Sequence, residues 1–283
     1  MPAIEIGLLG STQLSLAAPA HTSAAQARTL IPSARQRTVL ALLALRNGRA
    51  VSADELIDEL WGERPPAKAR NALQATVARL RRALRTEQPA TRVEGILHTA
   101  GAGYLLDVPD DAVDAHRFVN LAEEGMRDCP ATPRTAILAL HEALQLWRGK
   151  PLCDSGSGLR CQAAAARLDE VRIIALEELL AAQLIVGPPQ AVLGPLRELS
   201  VQYPERERVC GLLMTALTLS GRQTEALNEF HRTRRWLAEE LGLRPSDALQ
   251  ERYTSILRAG SLRNPQPSAP RHDHLLRTPG VMA

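Results

Sequence analysis

Between Lys68 and Arg85 the chain carries six basic residues and no acidic one, interleaved with Asn71, Gln74 and several alanines. An arginine fork fits guanine N7 and O6, and the amides of Asn and Gln fit adenine. The remaining cations neutralise phosphates and set register without reading bases. This is the chemistry of recognising a polyanion. Patterns that make or break bonds do not appear. There is no GxxxxGK[ST] run to cradle a nucleotide phosphate, and Gly101-x-Gly103 lies within a hairpin, not between strand and helix. His21, His98, His116, His141, His231, His272 and His274 form no HExxH or other metal-ligand pairing. Cys129, Cys153, Cys161 and Cys210 lack CxxC spacing, which reads as a reduced set without zinc or disulfides. Asp154-Ser155-Gly156-Ser157-Gly158 reads as a flexible connection, and no aspartate sits in a receiver-like context. The expectation is a protein that is not an enzyme and needs no cofactor and no metal.

The basic segment requires a helix to present it. Leu73, Val77, Leu80 and Leu84 recur at spacings of four, three and four, which stacks them along one side of a helix over about 67–85. At about 100° per residue, the opposite side carries Asn71, Ala75, Ala78 and Arg82. Lys68 and Arg79 lie near that outer face, with Gln74, Arg81 and Arg85 on its flank. Small residues there permit close approach, and long donors border them, as entry into a major groove requires.

Two helices precede it. One runs over about 34–46, with Ser33 as a candidate cap and Asn47-Gly48 as its stop; the other starts at Ser52, with Glu55 completing a capping box, and ends at Trp61-Gly62. Short strands are expected in residues 4–31. Val93–Leu97 and Tyr104–Leu106 read as two more, around the turn Ala100-Gly101-Ala102-Gly103. Helix, helix, basic helix and glycine hairpin together spell a winged helix-turn-helix.

From Asp114 the pattern becomes long and helical, with helices near 115–128, 134–148, 162–186, 189–202, 205–220, 222–241 and 246–259. Leu213, Gly221, Ala226 and Phe230 have the small-and-large spacing of a tetratricopeptide helix pair. The domain reading is 1–109 for the winged helix, 112–260 for the helical domain and 261–283 for a Pro-rich disordered tail. The fold class is therefore mainly α.

Charge is localised, since residues 1–110 hold 13 Lys and Arg against 10 Asp and Glu, whereas residues 111–260 hold 18 against 20. No run approaches the roughly 18–20 apolar residues of a membrane span, and the N-terminus lacks a basic leader segment. A cytoplasmic, nucleoid-associated protein without a membrane partner is expected.

The runs Val51-Ser52-Ala53-Asp54-Glu55-Leu56-Ile57-Asp58-Glu59-Leu60-Trp61-Gly62, Ala69-Arg70-Asn71-Ala72-Leu73-Gln74 and Gly103-Tyr104-Leu105-Leu106 resemble those of the Streptomyces antibiotic regulatory proteins. So do Ala143-Leu144-Gln145-Leu146-Trp147-Arg148-Gly149, Gly221-Arg222-Gln223-Thr224-Glu225-Ala226-Leu227 and Leu237 through Pro245. The resemblance spans about residues 4–259. It implies a winged helix of the response-regulator output type followed by a bacterial transcriptional activator domain. It further implies a DNA-binding activator of a secondary-metabolite (antibiotic) gene cluster. Such activators bind direct repeats near the promoter −35 region, self-associate on DNA, and recruit RNA polymerase holoenzyme through its sigma and alpha subunits.

Asn71, Gln74, Thr76 and Arg79 are the expected base contacts, Thr76 entering from the family's helix alignment and not from the outer-face geometry. Lys68, Arg70, Arg81 and Arg82 are the expected phosphate contacts, and His98, Thr99, Gly101 and Gly103 form the wing. One departure stands out: the family places an Arg four residues before the wing tyrosine, where this chain has Ala100. The alternative function is a protein-interaction scaffold built on the helical repeat. The alanine-lined basic helix argues for DNA instead.

Overall fold

A computed structural model describes residues 4–16, 27–29, 31, 33–84, 95–129, 131–156 and 158–263. The chain forms two compact units, Met1–Pro188 and Pro189–Ala283.

The first unit begins with an antiparallel sheet of β1 (Ile4–Gly7), β2 (Gln13–Leu16) and β3 (Ala27–Thr29), with Ile6 opposite Leu14. Period-2 burial turns Ile4 and Ile6 into the core. The third strand carries no apolar run of its own (Ala-Arg-Thr), so pairing with β2 and not local pattern makes it a strand.

Next comes α1 (Ala34–Leu45), buried without interruption from Thr38 to Ala44, as befits the central helix of a small domain. Ser33 occupies its N-cap but makes no side-chain cap bond. The chain continues through β4 (Val51–Ser52) into α2 (Ala53–Trp61). The capping box is formed in both directions: Ser52 Oγ accepts from Glu55 N at 3.1 Å, and Glu55 Oε2 accepts from Ser52 N at 3.1 Å. The Ser52 N–H, together with the Ser52 hydroxyl donating to the same Oε2 at 3.0 Å, holds the Glu55 carboxyl below its ordinary range.

After α3 (Ala69–Leu84), strands β5 (Leu97–Ala100) and β6 (Gly103–Leu106) join β4 in a second sheet ordered β4-β6-β5. The wing is a hairpin with Ala100 opposite Gly103, so its turn is only Gly101-Ala102. Gly101 at φ +55° is the first central residue, which suits a tight turn with glycine there. The first wing strand therefore lies later than the expected 93–97. Val93 and Glu94, like Arg85, fall outside the described residues.

Three long helices complete this unit: α4 (Asp114–Asp128), α5 (Pro133–Gln145) and α6 (Leu159–Val186). In α4, Gly125 lets α5 approach, since a Cβ there would meet Leu140. Phe118 and Trp147 pack edge to face at 5.2 Å, and Arg172 covers the other aromatic with its guanidinium 4.6 Å from the Trp147 ring. The fifth helix stops short of the expected residue 148. There the Arg148 N–H leaves the helix ladder and donates to Leu9 O at 2.8 Å. Conversely, α6 starts three residues earlier than expected, because a side chain from α2 caps it.

The second unit holds a 3₁₀ turn (Pro189–Val192) and helices α7 (Leu193–Gln202), α8 (Glu207–Leu219), α9 (Gln223–Glu240) and α10 (Asp247–Arg263). The tetratricopeptide-like spacing is realised in α8 and α9: Leu213, Ala226 and Phe230 are buried, and Gly221 at φ +76° makes the turn. Most of the expected tail, including His272 and His274, lies outside the described residues, though α10 extends to Arg263. Among the described residues no helix is long and apolar enough to cross a membrane.

Candidate nucleic-acid interface

Of the stripe read from the spacing, Leu73, Val77, Leu80 and Leu84 are all buried against the winged-helix core. The opposite side of α3 is open: Arg70, Asn71, Gln74, Ala75, Ala78, Arg79 and Arg82 are exposed, as is Lys68 in the turn before the helix. That leaves a continuous surface of two amides, two alanines and four cations, with no carboxylate on the helix itself.

Thr76 departs from its expected role. It is 5% exposed, and its hydroxyl donates to Ala72 O at 2.8 Å. It lies three residues after Leu73 and next to Val77, so the helical period turns it toward the core. A base edge on the outer side is out of its reach.

Arg81 is also engaged elsewhere. Its Nε donates to Leu97 O at 3.1 Å and its Nη2 to Thr99 Oγ1 at 2.8 Å, while its guanidinium lies 5.9 Å from the Tyr104 ring centre. These contacts tie α3 to both strands of the wing. The arginine thus acts as a brace between helix and wing, and is not a cation free to meet a phosphate. Tyr104 supplies the brace's platform, a role that a lone tyrosine in a strand does not announce in sequence.

Arg70 pairs with Asp54 of α2 at 2.8 Å. Both side chains are more than half exposed, so the pair is worth only about 0–1 kcal/mol. It orients Arg70 without preventing its exchange onto a stronger anion. The pair spans sixteen residues of sequence and joins two helices, so helical spacing does not report it.

In the wing, His98, Thr99 and Gly101 are exposed and Ala100 is half-buried. Gly103 is different: it is buried, and a Cβ on it would run into Val51 O of the neighbouring strand. Its place is a close strand crossing, so it supports the wing and does not form its outer surface. The structure therefore assembles Lys68, Arg70, Asn71, Gln74, Arg79 and Arg82 on one face, beside His98, Thr99 and Gly101. Thr76, Arg81 and Gly103 fall behind it. Among the described residues no cluster of His, Cys, Asp and Glu is placed to hold a metal ion.

Comparisons with known proteins assign both parts of the chain to families. The family described as "Transcriptional regulatory protein, C terminal" matches residues 27–106, and the "Bacterial transcriptional activator domain" matches residues 113–257. The transcriptional regulator RedD of Streptomyces coelicolor is 40% identical over 248 residues, covering 88% of this chain and 71% of RedD. The regulatory protein DnrI of Streptomyces peucetius is 38% identical over 236 residues, 82% of this chain and 87% of DnrI. Among solved structures, Mycobacterium tuberculosis EmbR, determined in complex with a low affinity phosphopeptide, superposes with a TM-score of 0.83 at 31% identity. That match covers 92% of this chain but 66% of the EmbR chain. With both domain families matched in order along the chain and relatives aligned over most of its length, the protein belongs to the Streptomyces antibiotic regulatory protein family of transcriptional activators.

Proposed function

We propose that this protein is a sequence-specific DNA-binding activator of an antibiotic or other secondary-metabolite gene cluster, acting in the cytoplasm on the nucleoid. It binds direct repeats near the −35 region, with protomers in tandem, and recruits RNA polymerase holoenzyme through sigma and alpha. DNA reading belongs to residues 1–109, and the helical domain, 112–260, helps protomers associate on the DNA. The observation that carries the reading is the exposed face of α3, in which Asn71, Gln74 and Arg79 surround Ala75 and Ala78 with no acid on the helix.

In this reading Asn71, Gln74 and Arg79 meet base edges beside a face of methyl-sized residues, since each amide offers one donor and one acceptor to adenine and Arg79 offers a donor fork to guanine. Lys68, Arg70 and Arg82 hold phosphates, and His98, Thr99 and Gly101 approach the backbone from the wing. The test is a titration of random duplex and of promoter fragments from the gene's own neighbourhood across a salt series. Expected is steeply salt-dependent binding with a clear preference for a repeat-containing fragment. Absence of duplex binding even at low salt overturns the reading and favours a protein-interaction scaffold.

A further inference from the structure

The second unit contains a groove of about 510 Å³ between α9, the segment after it and α10. Its floor is aromatic: Phe230 and Tyr253 stack with centroids 4.2 Å apart and 22° between planes. Pro245 closes one wall, held by Gln250, whose side-chain amide donates to Pro245 O at 2.6 Å. Leu243 stands at the rim with 56% of its surface exposed. Arg234 and Arg244 complete the lining.

The two guanidiniums give this groove its positive charge. Arg197 and Arg222 both pair with Glu225, Arg232 pairs with Glu229, and Arg252 bonds Thr215. Among the described residues Arg234 and Arg244 have no such partner, although Glu239 and Glu240 are close to both in sequence. An apolar, aromatic-floored groove flanked by two unneutralised cations suits a ligand that is apolar in the middle and anionic around it.

We infer that this groove docks a peptide segment of a partner protein in which carboxylates flank a bulky apolar side chain. The carboxylates meet Arg234 and Arg244, and the apolar group covers Leu243, Pro245 and the Phe230–Tyr253 stack. A duplex backbone fits less well, because its bases are paired and stacked, so it would leave those apolar walls uncovered and meet only two cations. The chain's own last twenty residues, 264–283, are no better suited: they hold two arginines against one aspartate. The inference concerns a different unit from α3 and stands or falls independently of DNA reading.

The test uses the full chain and a fluorescein-labelled Asp-Glu-Leu-Phe-Asp-Glu peptide, read by fluorescence anisotropy. Two control peptides replace the four acids by their amides, or Leu and Phe by alanine. The acidic apolar peptide is expected to bind saturably and both controls more weakly. Arg234→Gln and Arg244→Gln should each weaken it about tenfold, the scale of one lost charge-assisted hydrogen bond. Arg235→Gln, an exposed neighbour outside the groove, should leave binding unchanged. The inference is overturned by no saturable binding, by equal binding of the amide peptide, or by indifference to both groove substitutions. Displacement of the peptide by a short random duplex would reassign the groove to nucleic acid.

Discussion

The carboxylate of Glu59, in α2, accepts the backbone N–H of Cys161, in the first turn of α6, across 2.8 Å of space and 102 residues of chain. Its other oxygen accepts from Arg160 N at 2.9 Å. One side chain of the helix-turn-helix therefore serves as the cap of a 28-residue helix, placing a negative charge where the helix dipole favours it. Gly158 makes the approach possible, since a Cβ on it would strike the Glu59 carboxylate. The Arg160 guanidinium adds a bond to Asp58 at 2.9 Å.

Glu59→Ala removes the acceptor of two N–H groups in a site where the side chain is 1% exposed. At roughly 1–3 kcal/mol for each of the two stranded donors, a loss of about 2–6 kcal/mol is expected, visible as a lower urea midpoint of the full chain. Cys161, buried and with its thiol pushed up by burial, should resist alkylation in the parent and become labelled in the variant. An unchanged midpoint together with an unlabelled Cys161 would show that the cap is dispensable.

Arg79 and Arg82 are both exposed on α3 but have different proposed tasks. Arg79→Ala should cost about 1–3 kcal/mol on a repeat-containing fragment and relax discrimination. Arg82→Ala should weaken operator and random duplex alike, and lower the salt slope by about one. Equal losses on operator and random DNA for Arg79→Ala would remove it from the base-reading set.

Arg81 braces the wing, so Arg81→Ala should reduce affinity while leaving the slope of log K against log salt unchanged. Hydroxyl-radical protection on the wing side of the site should fade at the same time. A slope reduced by about one, as for a lost phosphate contact, would return Arg81 to the phosphate set.

Ala100 closes β5 opposite Gly103 and is half-buried at the base of the wing turn. Ala100→Arg adds a long cation beside the exposed His98 and Thr99. Binding should tighten and the salt slope should steepen by about 0.9, the increment for one neutralised phosphate. Identical affinity at every salt concentration would mean that this position does not face DNA.

Ser52→Ala breaks one half of the capping box ahead of α2 and should cost about 1 kcal/mol. The Glu55 carboxyl is depressed in the folded chain, so its contribution is present above its ordinary value of 4.5 and is lost as pH falls through the folded value. The variant keeps the backbone N–H at position 52 and loses only the hydroxyl's bond to the carboxylate, so part of the depression is relieved and it should lose somewhat less stability than the parent on acidification through this window. Parallel acid limbs in the two proteins would show that the hydroxyl adds nothing to the depression.

Much of this protein is written locally. The recurrence of Leu73, Val77, Leu80 and Leu84 fixes which side of α3 is buried and, by the same period, which residues stay open. Ser52 and Glu55 are three residues apart and start α2; Gly101 turns the wing; Ala226 and Phe230 mark a helix pair. Such features depend on neighbours within about one or two turns of chain, which is the range that spacing reports. The same arithmetic turns Thr76 inward, against the role that family alignment implied. What the tertiary structure alone decided are the long-range partners. Glu59 sets the start of α6, Leu9 ends α5 by taking the Arg148 N–H, and the wing takes up two donors of Arg81. Each joins residues from 16 to more than 100 positions apart, or 139 for Arg148 and Leu9. No periodic pattern encodes such a pair, because it exists only once packing has brought two separately formed elements together.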